Sequence, residues 1–146
     1  MEIVLGSGVD DIVFGLTETQ IIEQLGSPNK IWVTEFNDRE LSYYEQQLVL
    51  KIEAENDHRL GWIEVHNRGA TLWGNNLWET PREQLLELLT SKLGEDYEFE
   101  DYSSFECYSF YENWVELQFG LGRLRCCNFG VLYGENDQPL WPESKI

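Results

Sequence analysis

Two stretches of the chain alternate apolar and polar residues with a period of two. In residues 44–52, Leu48, Leu50 and Ile52 share one face; in residues 111–119, Val115, Leu117 and Phe119 take the same places 67 positions on, from 48 to 115. Such alternation marks a half-buried strand. A hairpin partner follows each: residues 60–66 after a turn at Asn56-Asp57, and residues 123–129 after Gly120-Leu121-Gly122. Residues 31–36 and 97–111 supply further strands.

Helical grammar precedes each strand cluster. Leu16-Thr17-Glu18-Thr19-Gln20-Ile21 has the form of a capping box, with Thr17 accepting from the Gln20 amide, the Gln20 side chain reaching back, and Leu16 and Ile21 at staple positions. Ile21, Ile22 and Leu25 form an apolar stripe, and Gly26 followed by Pro28 stops the helix. The grammar recurs at Thr80-Pro81-Arg82-Glu83, with Thr80 as cap, Pro81 at the first helical position and Glu83 closing the box. Leu85, Leu86, Leu88, Leu89 and Leu93 then make the buried face, and Gly94 ends the run.

A closing motif also recurs. Leu72-Trp73-Gly74-Asn75-Asn76-Leu77-Trp78 resembles Leu132-Tyr133-Gly134-Glu135-Asn136, followed after a short insertion by Leu140-Trp141. Helix, strand pair and closing motif twice in one order predict an α+β fold of two tandem degenerate helix-plus-antiparallel-sheet units, residues 1–78 and 79–146, forming one compact body. Neither half of a 146-residue chain buries enough surface alone. Two sheets side by side, each with a helix on one face, is the economical arrangement.

The run from Phe14-Gly15-Leu16-Thr17 to Leu25-Gly26-Ser27-Pro28 resembles the opening of the outer-membrane assembly lipoproteins of the BamE/OmlA type. The tandem layout resembles the β-lactamase inhibitory proteins. The chain lacks both the lipoprotein cysteine and the paired cysteines of those inhibitors. What the resemblance implies is an architecture used for protein binding, commonly on a sheet face.

Charge narrows the partner. Ten Lys and Arg face 27 Asp and Glu, giving a net charge of −17. Such a chain is repelled by nucleic-acid backbones and anionic lipid, and steers a basic protein towards itself. The N-terminus, Met1-Glu2-Ile3-Val4-Leu5-Gly6, has neither a basic region nor a long apolar run. With three cysteines in no framework spacing, this predicts a cytoplasmic protein with reduced thiols, one of the Cys126-Cys127 pair buried, and no disulfide.

Candidate chemistry is sparse. His58 reads as a turn residue and His66 as a strand end; Gly6-Ser7-Gly8 reads as a turn, without the context of a dinucleotide site. Adjacent Cys126 and Cys127 on a strand point to opposite faces and do not share a metal. No cofactor and no metal are expected. In residues 95–102 acids alternate with aromatics, so Tyr97 and Phe99 take one face and Asp96, Glu98 and Glu100 the other.

If the alternating apolar residues face the helices, Val49, Lys51, Glu53, Trp114, Glu116 and Gln118 face away, as do Trp62, Glu64 and His66. In the last hairpin strand Leu124 and Cys126 go in, and Arg123 and Arg125 out. The expected docking residues are therefore Trp62, Glu64, Trp114 and Glu116 on the sheet face, and Asp96, Glu98, Glu100 and Asp101 in the acidic run. The reading is a non-enzymatic protein-binding or inhibitor protein, specifically a cytoplasmic immunity protein that neutralises a basic toxin such as a nuclease. The alternatives are a carbohydrate-active enzyme working through paired carboxylates, and an acidic mimic of nucleic acid that occupies a DNA-binding protein.

Overall fold

A strand that buries every second side chain needs neighbours on both edges, and here the alternating segments find them in one large sheet. The computed structural model describes residues 1–142; positions 143–146 of the expected second unit lie outside the described residues. In chain order the strands are β1 (Glu2–Val4), β2 (Gly8–Val9), β3 (Ile12–Val13), β4 (Lys30–Val33), β5 (Arg39–Tyr43), β6 (Leu48–Glu53), β7 (Arg59–Val65), β8 (Thr71–Leu72), β9 (Asn75–Asn76), β10 (Glu98–Asp101), β11 (Glu106–Phe110), β12 (Val115–Gly120) and β13 (Arg123–Gly130). The helices are α1 (Glu18–Leu25) and α2 (Arg82–Leu93). The fold is mixed α+β.

Eight strands form one antiparallel sheet in the order β10-β11-β12-β13-β7-β6-β5-β4, and five short ones form a second sheet, β3-β2-β1-β8-β9. Instead of two sheets side by side, the two four-stranded runs are joined. β13 pairs with β7 through Cys127–Val65, Asn128–Glu64, Phe129–Ile63 and Gly130–Trp62. That pairing satisfies backbone groups that two separate sheets would leave at open edges.

Both helices begin where the sequence places them, but by different means. At α1 the capping box forms: Thr17 N donates to Gln20 Oε1 at 2.9 Å and Gln20 N to Thr17 Oγ1 at 3.3 Å. At α2 it does not, because Pro81 takes the cap position and, among the described residues, no side chain caps the first turn. The Thr80 hydroxyl donates instead to the Asn76 carbonyl at 2.6 Å, while Asn76 Oδ1 accepts from the Trp78 and Glu79 amides. An Asn-centred turn thus organises the entry to α2. Of its leucines, Leu85 and Leu89 are fully buried.

β6 and β12 start later than the alternation suggests. Gln47 and Trp114, 67 positions apart, both adopt left-handed backbone, φ 56° and 52°, which breaks the pleat in front of Leu48 and Val115. The register of each strand against its partner then shifts, at Lys51/Ile52 opposite β7 and at Gln118/Phe119 opposite β13, because the partner strand carries one extra residue. The unpaired residues are Gly61 and Arg125. A side chain at Gly61 would collide with the Glu53 carboxylate.

The bulge at Arg125 overturns one expectation. An extra residue reverses the facing of everything beyond it. Cys127, opposite Leu117, enters the core, and Cys126, opposite Gln118, lies on the outer face. Cys126 and Cys127 are both buried and free, rather than one of the two, and so is Cys107.

The inner face carries Leu41, Leu50, Ile63, Leu117 and Phe129, all buried. These join Ile21 of α1, Leu85 and Leu89 of α2, and Ile3, Val9 and Leu72 of the small sheet in one hydrophobic cluster. No described helix is long and apolar enough to cross a membrane.

Candidate functional site: the outer face of the large sheet

With the inner face committed to the core, the outer face is where side chains meet solvent, and the register arranges them in rows. Neighbouring strands lie about 4.8 Å apart, so residues in one row are side-chain neighbours. One row reads Glu98, Ser109, Glu116, Asn128, Glu64 and Val49, across β10, β11, β12, β13, β7 and β6. Three carboxylates alternate there with two small polar side chains. A second row places Glu100, Cys107, Gln118 and Cys126 beside it.

The flanking row is aromatic. Trp62 and Trp114 meet edge to face with ring centroids 6.2 Å apart, and Trp114 also touches Tyr111 at 6.4 Å and Tyr133 at 6.5 Å. Gly130 makes this possible. A Cβ there would lie 2.7 Å from Trp62 Cε3 and collide with Trp114 Cδ1, so the two indoles close over a bare backbone. Since Gly130 pairs with Trp62 at the β13–β7 junction, the tryptophans pack on the seam between the two runs of strands. Trp114 remains 40% exposed. A shallow cleft of about 120 Å³ opens beside it, lined by Trp62, Ser109, Tyr111, Trp114 and Glu116.

Hydrogen bonds order the carboxylates. Glu116 Oε1 accepts from Asn128 Nδ2 at 2.9 Å and Gln118 Nε2 at 3.2 Å, and Glu116 Oε2 accepts from the Cys107 thiol at 3.7 Å. Glu64 pairs with His66 at 3.5 Å. Asn128 is only 3% exposed, and among the described residues its Oδ1 has no hydrogen-bond partner. An unpaired buried acceptor of this kind costs about 1–3 kcal/mol.

The neighbouring acids also perturb titratable groups. Burial, reinforced by the Glu64 charge, pushes the Cys126 thiol up to about 12. Burial likewise raises Cys107, and the Glu98 carboxylate raises the Tyr111 phenol. These thiols stay protonated near neutrality and are poor nucleophiles there.

Six of the eight expected docking residues therefore fall as follows: Trp62, Glu64, Trp114, Glu116, Glu98 and Glu100 share the outer face. Asp101 does not, since it pairs with Glu106 on the opposite face and bonds the Ser103 amide at 2.9 Å. Asp96 precedes β10 and is exposed. Ser109, Tyr111, Asn128 and Gly130 complete the site unannounced. Tyr111 lay inside the repeated segment, but Asn128 and Gly130 gave no signal, because only the pairing of β13 with β7 gives them a role.

No family model matches the chain, and no curated protein matches it. Among solved structures, it is similar to a DUF4309 family protein, YjgB, from Bacillus subtilis subsp. subtilis str. 168, at 13% identity and a TM-score of 0.51, over 86% of this chain and 87% of that one. It is also similar to an extracellular protein containing a SCP domain from Bacillus anthracis str. Ames, at 10% identity and a TM-score of 0.49, over 80% of this chain. The chain spans 43% of the length of that second protein. Identities this low speak to the fold alone, and only the first likeness is close enough to do so.

Proposed function

We propose that this chain is a non-enzymatic binding protein that captures a basic protein partner on the outer face of its large sheet, as an immunity protein captures a toxin such as a nuclease. The observation that carries the reading is the carboxylate row Glu98–Glu116–Glu64 lying against the aromatic row Tyr111–Trp114–Trp62. Carboxylates steer and orient a cationic partner, and half-exposed tryptophans bury a large area at low entropic cost. A net charge of −17 extends the steering beyond the face. Three free thiols support a reducing, cytoplasmic home.

The tandem reading belongs here too. It is supported by β5 and β6 matching β11 and β12 in length at an offset of 67, by register shifts after Lys51 and Gln118 with that offset, and by the left-handed Gln47 and Trp114. The likeness in layout to tandem inhibitors is an analogy that points the same way.

The test is binding to, and protection against, the protein encoded beside this gene. The native chain is expected to bind that protein and rescue cells expressing it. Trp114→Ala should weaken the complex by about 2 kcal/mol or more, as interface anchors do. A neighbour that is not bound, or one bound equally well by the Trp62→Ala/Trp114→Ala double variant, would sink the proposal.

A further inference from the structure

Cations are scarce in this chain, and three of its ten Lys and Arg line one cavity. The cavity, about 520 Å³, lies between the segment leading into α2 and the β12–β13 turn, away from the outer face; Arg68, Arg82 and Arg123 line it together with Trp78, Thr80 and Phe119. Its volume falls in the ordinary range of small-molecule sites.

The three arginines are not equivalent. Arg82 is committed: it donates to both Glu106 oxygens at 3.2 and 2.7 Å and to the Tyr108 hydroxyl at 2.5 Å, with its guanidinium 4.9 Å from the Phe119 ring centre. Arg68 and Arg123 are exposed, and among the described residues neither has a carboxylate within ion-pair distance. Two uncommitted arginines at one cavity are unexpected in a chain with 27 carboxylates. Glu79 also lines the cavity, so three arginines against Glu79 and Glu106 leave one positive charge there. The start of α2 offers amides that no side chain caps among the described residues, although Glu83 in the same turn offsets part of the helix charge there. Trp78 gives an ordered wall, its indole N–H held by the Leu124 carbonyl at 3.0 Å. The repulsion of the remaining acids is screened over about 8–10 Å at ordinary ionic strength.

We propose that this cavity binds a small phosphorylated molecule, its phosphate held by Arg68 and Arg123 at the start of α2 and its remainder resting on Trp78. Arginine's planar fork matches phosphate oxygens in pairs, and unpaired helix amides complete the cradle. The site is independent of the partner-capture reading.

The experiment is an NMR titration of the full chain with inorganic phosphate and, separately, phenyl phosphate, following the Trp78 indole N–H and the amides of Glu83 and Gln84. Both probes are expected to give saturable shifts, with phenyl phosphate the tighter. Arg68→Gln and Arg123→Gln should each weaken binding about tenfold or more, as loss of a charge-assisted hydrogen bond does. Both side chains are exposed, so the variants should keep the native spectrum and melting temperature, and Trp114→Ala should bind the probes unchanged. Shifts that chloride reproduces at matched ionic strength, that fail to saturate, or that survive both arginine substitutions would overturn the proposal. Phosphate binding without a gain for phenyl phosphate would overturn the assignment to an organic phosphate.

Discussion

Gly130 shows how a single missing atom organises this surface. Its backbone is not in the left-handed region, so alanine is allowed by local geometry, and the nearest obstacles to it are the indoles of Trp62 and Trp114. Gly130→Ala is therefore expected to destabilise the fold by about 1–3 kcal/mol, the usual cost of overpacking. The cost should shrink when Trp114→Ala is present, because the clash then loses one wall. Urea denaturation of the single and double variants measures that coupling. Equal costs in both backgrounds would mean that the indoles are not what Gly130 accommodates.

At the level of elements, the two edges of the large sheet are protected unequally. β10 carries Glu98, Glu100 and Asp101 along its edge, which discourages pairing with another chain. β4 carries only Lys30, and Ile31, Trp32 and Val33 are all exposed, Trp32 by 59%. An apolar edge with so little charge is the place where this chain would associate with other strands. Val33→Lys is expected to lower concentration-dependent association, measured by light scattering, by placing a charge on the edge while leaving the melting temperature within about 1 kcal/mol equivalent of native. A matching substitution on β10 should have little effect.

For the molecule as a whole, thiol burial couples stability to pH. Ordinary thiols titrate near about 8.5. In the fold Cys126 is raised to about 12 by burial and nearby carboxylates, and Cys107 and Cys127 are raised by burial. A group whose folded pKa is raised keeps its proton where the unfolded chain has lost it. Its contribution is fully present below the unfolded value and declines as pH rises through the window up to the folded one. Urea midpoints should thus fall progressively from about pH 8.5 towards alkaline pH, and Cys126→Ser should flatten the slope. A midpoint constant between pH 8 and pH 10 would contradict the burial described for these thiols.

The sequence by itself determined what depends on near neighbours. Period-two alternation fixed which faces of β6 and β12 are buried, Thr17 with Gln20 fixed the start of α1, and acid–aromatic alternation fixed the facing of Glu98 and Glu100. These follow from pleat geometry and short-range hydrogen bonds, which a few residues specify. β5 has no local signature because Arg39-Glu40-Leu41-Ser42-Tyr43 lacks an apolar run, and Thr80 is not the cap its sequence suggests because Pro81 shifts the helix start by one residue. Only the tertiary structure decided the rest. Joining β13 to β7 makes one sheet from two runs and brings Trp62 to Trp114; the bulge at Arg125 exchanges the facing of Cys126 and Cys127; and chain reversal brings Arg68 to Arg123. Each depends on which strand pairs with which and in what register, a long-range choice made by burying the common core, and one inserted residue changes it without altering any local pattern.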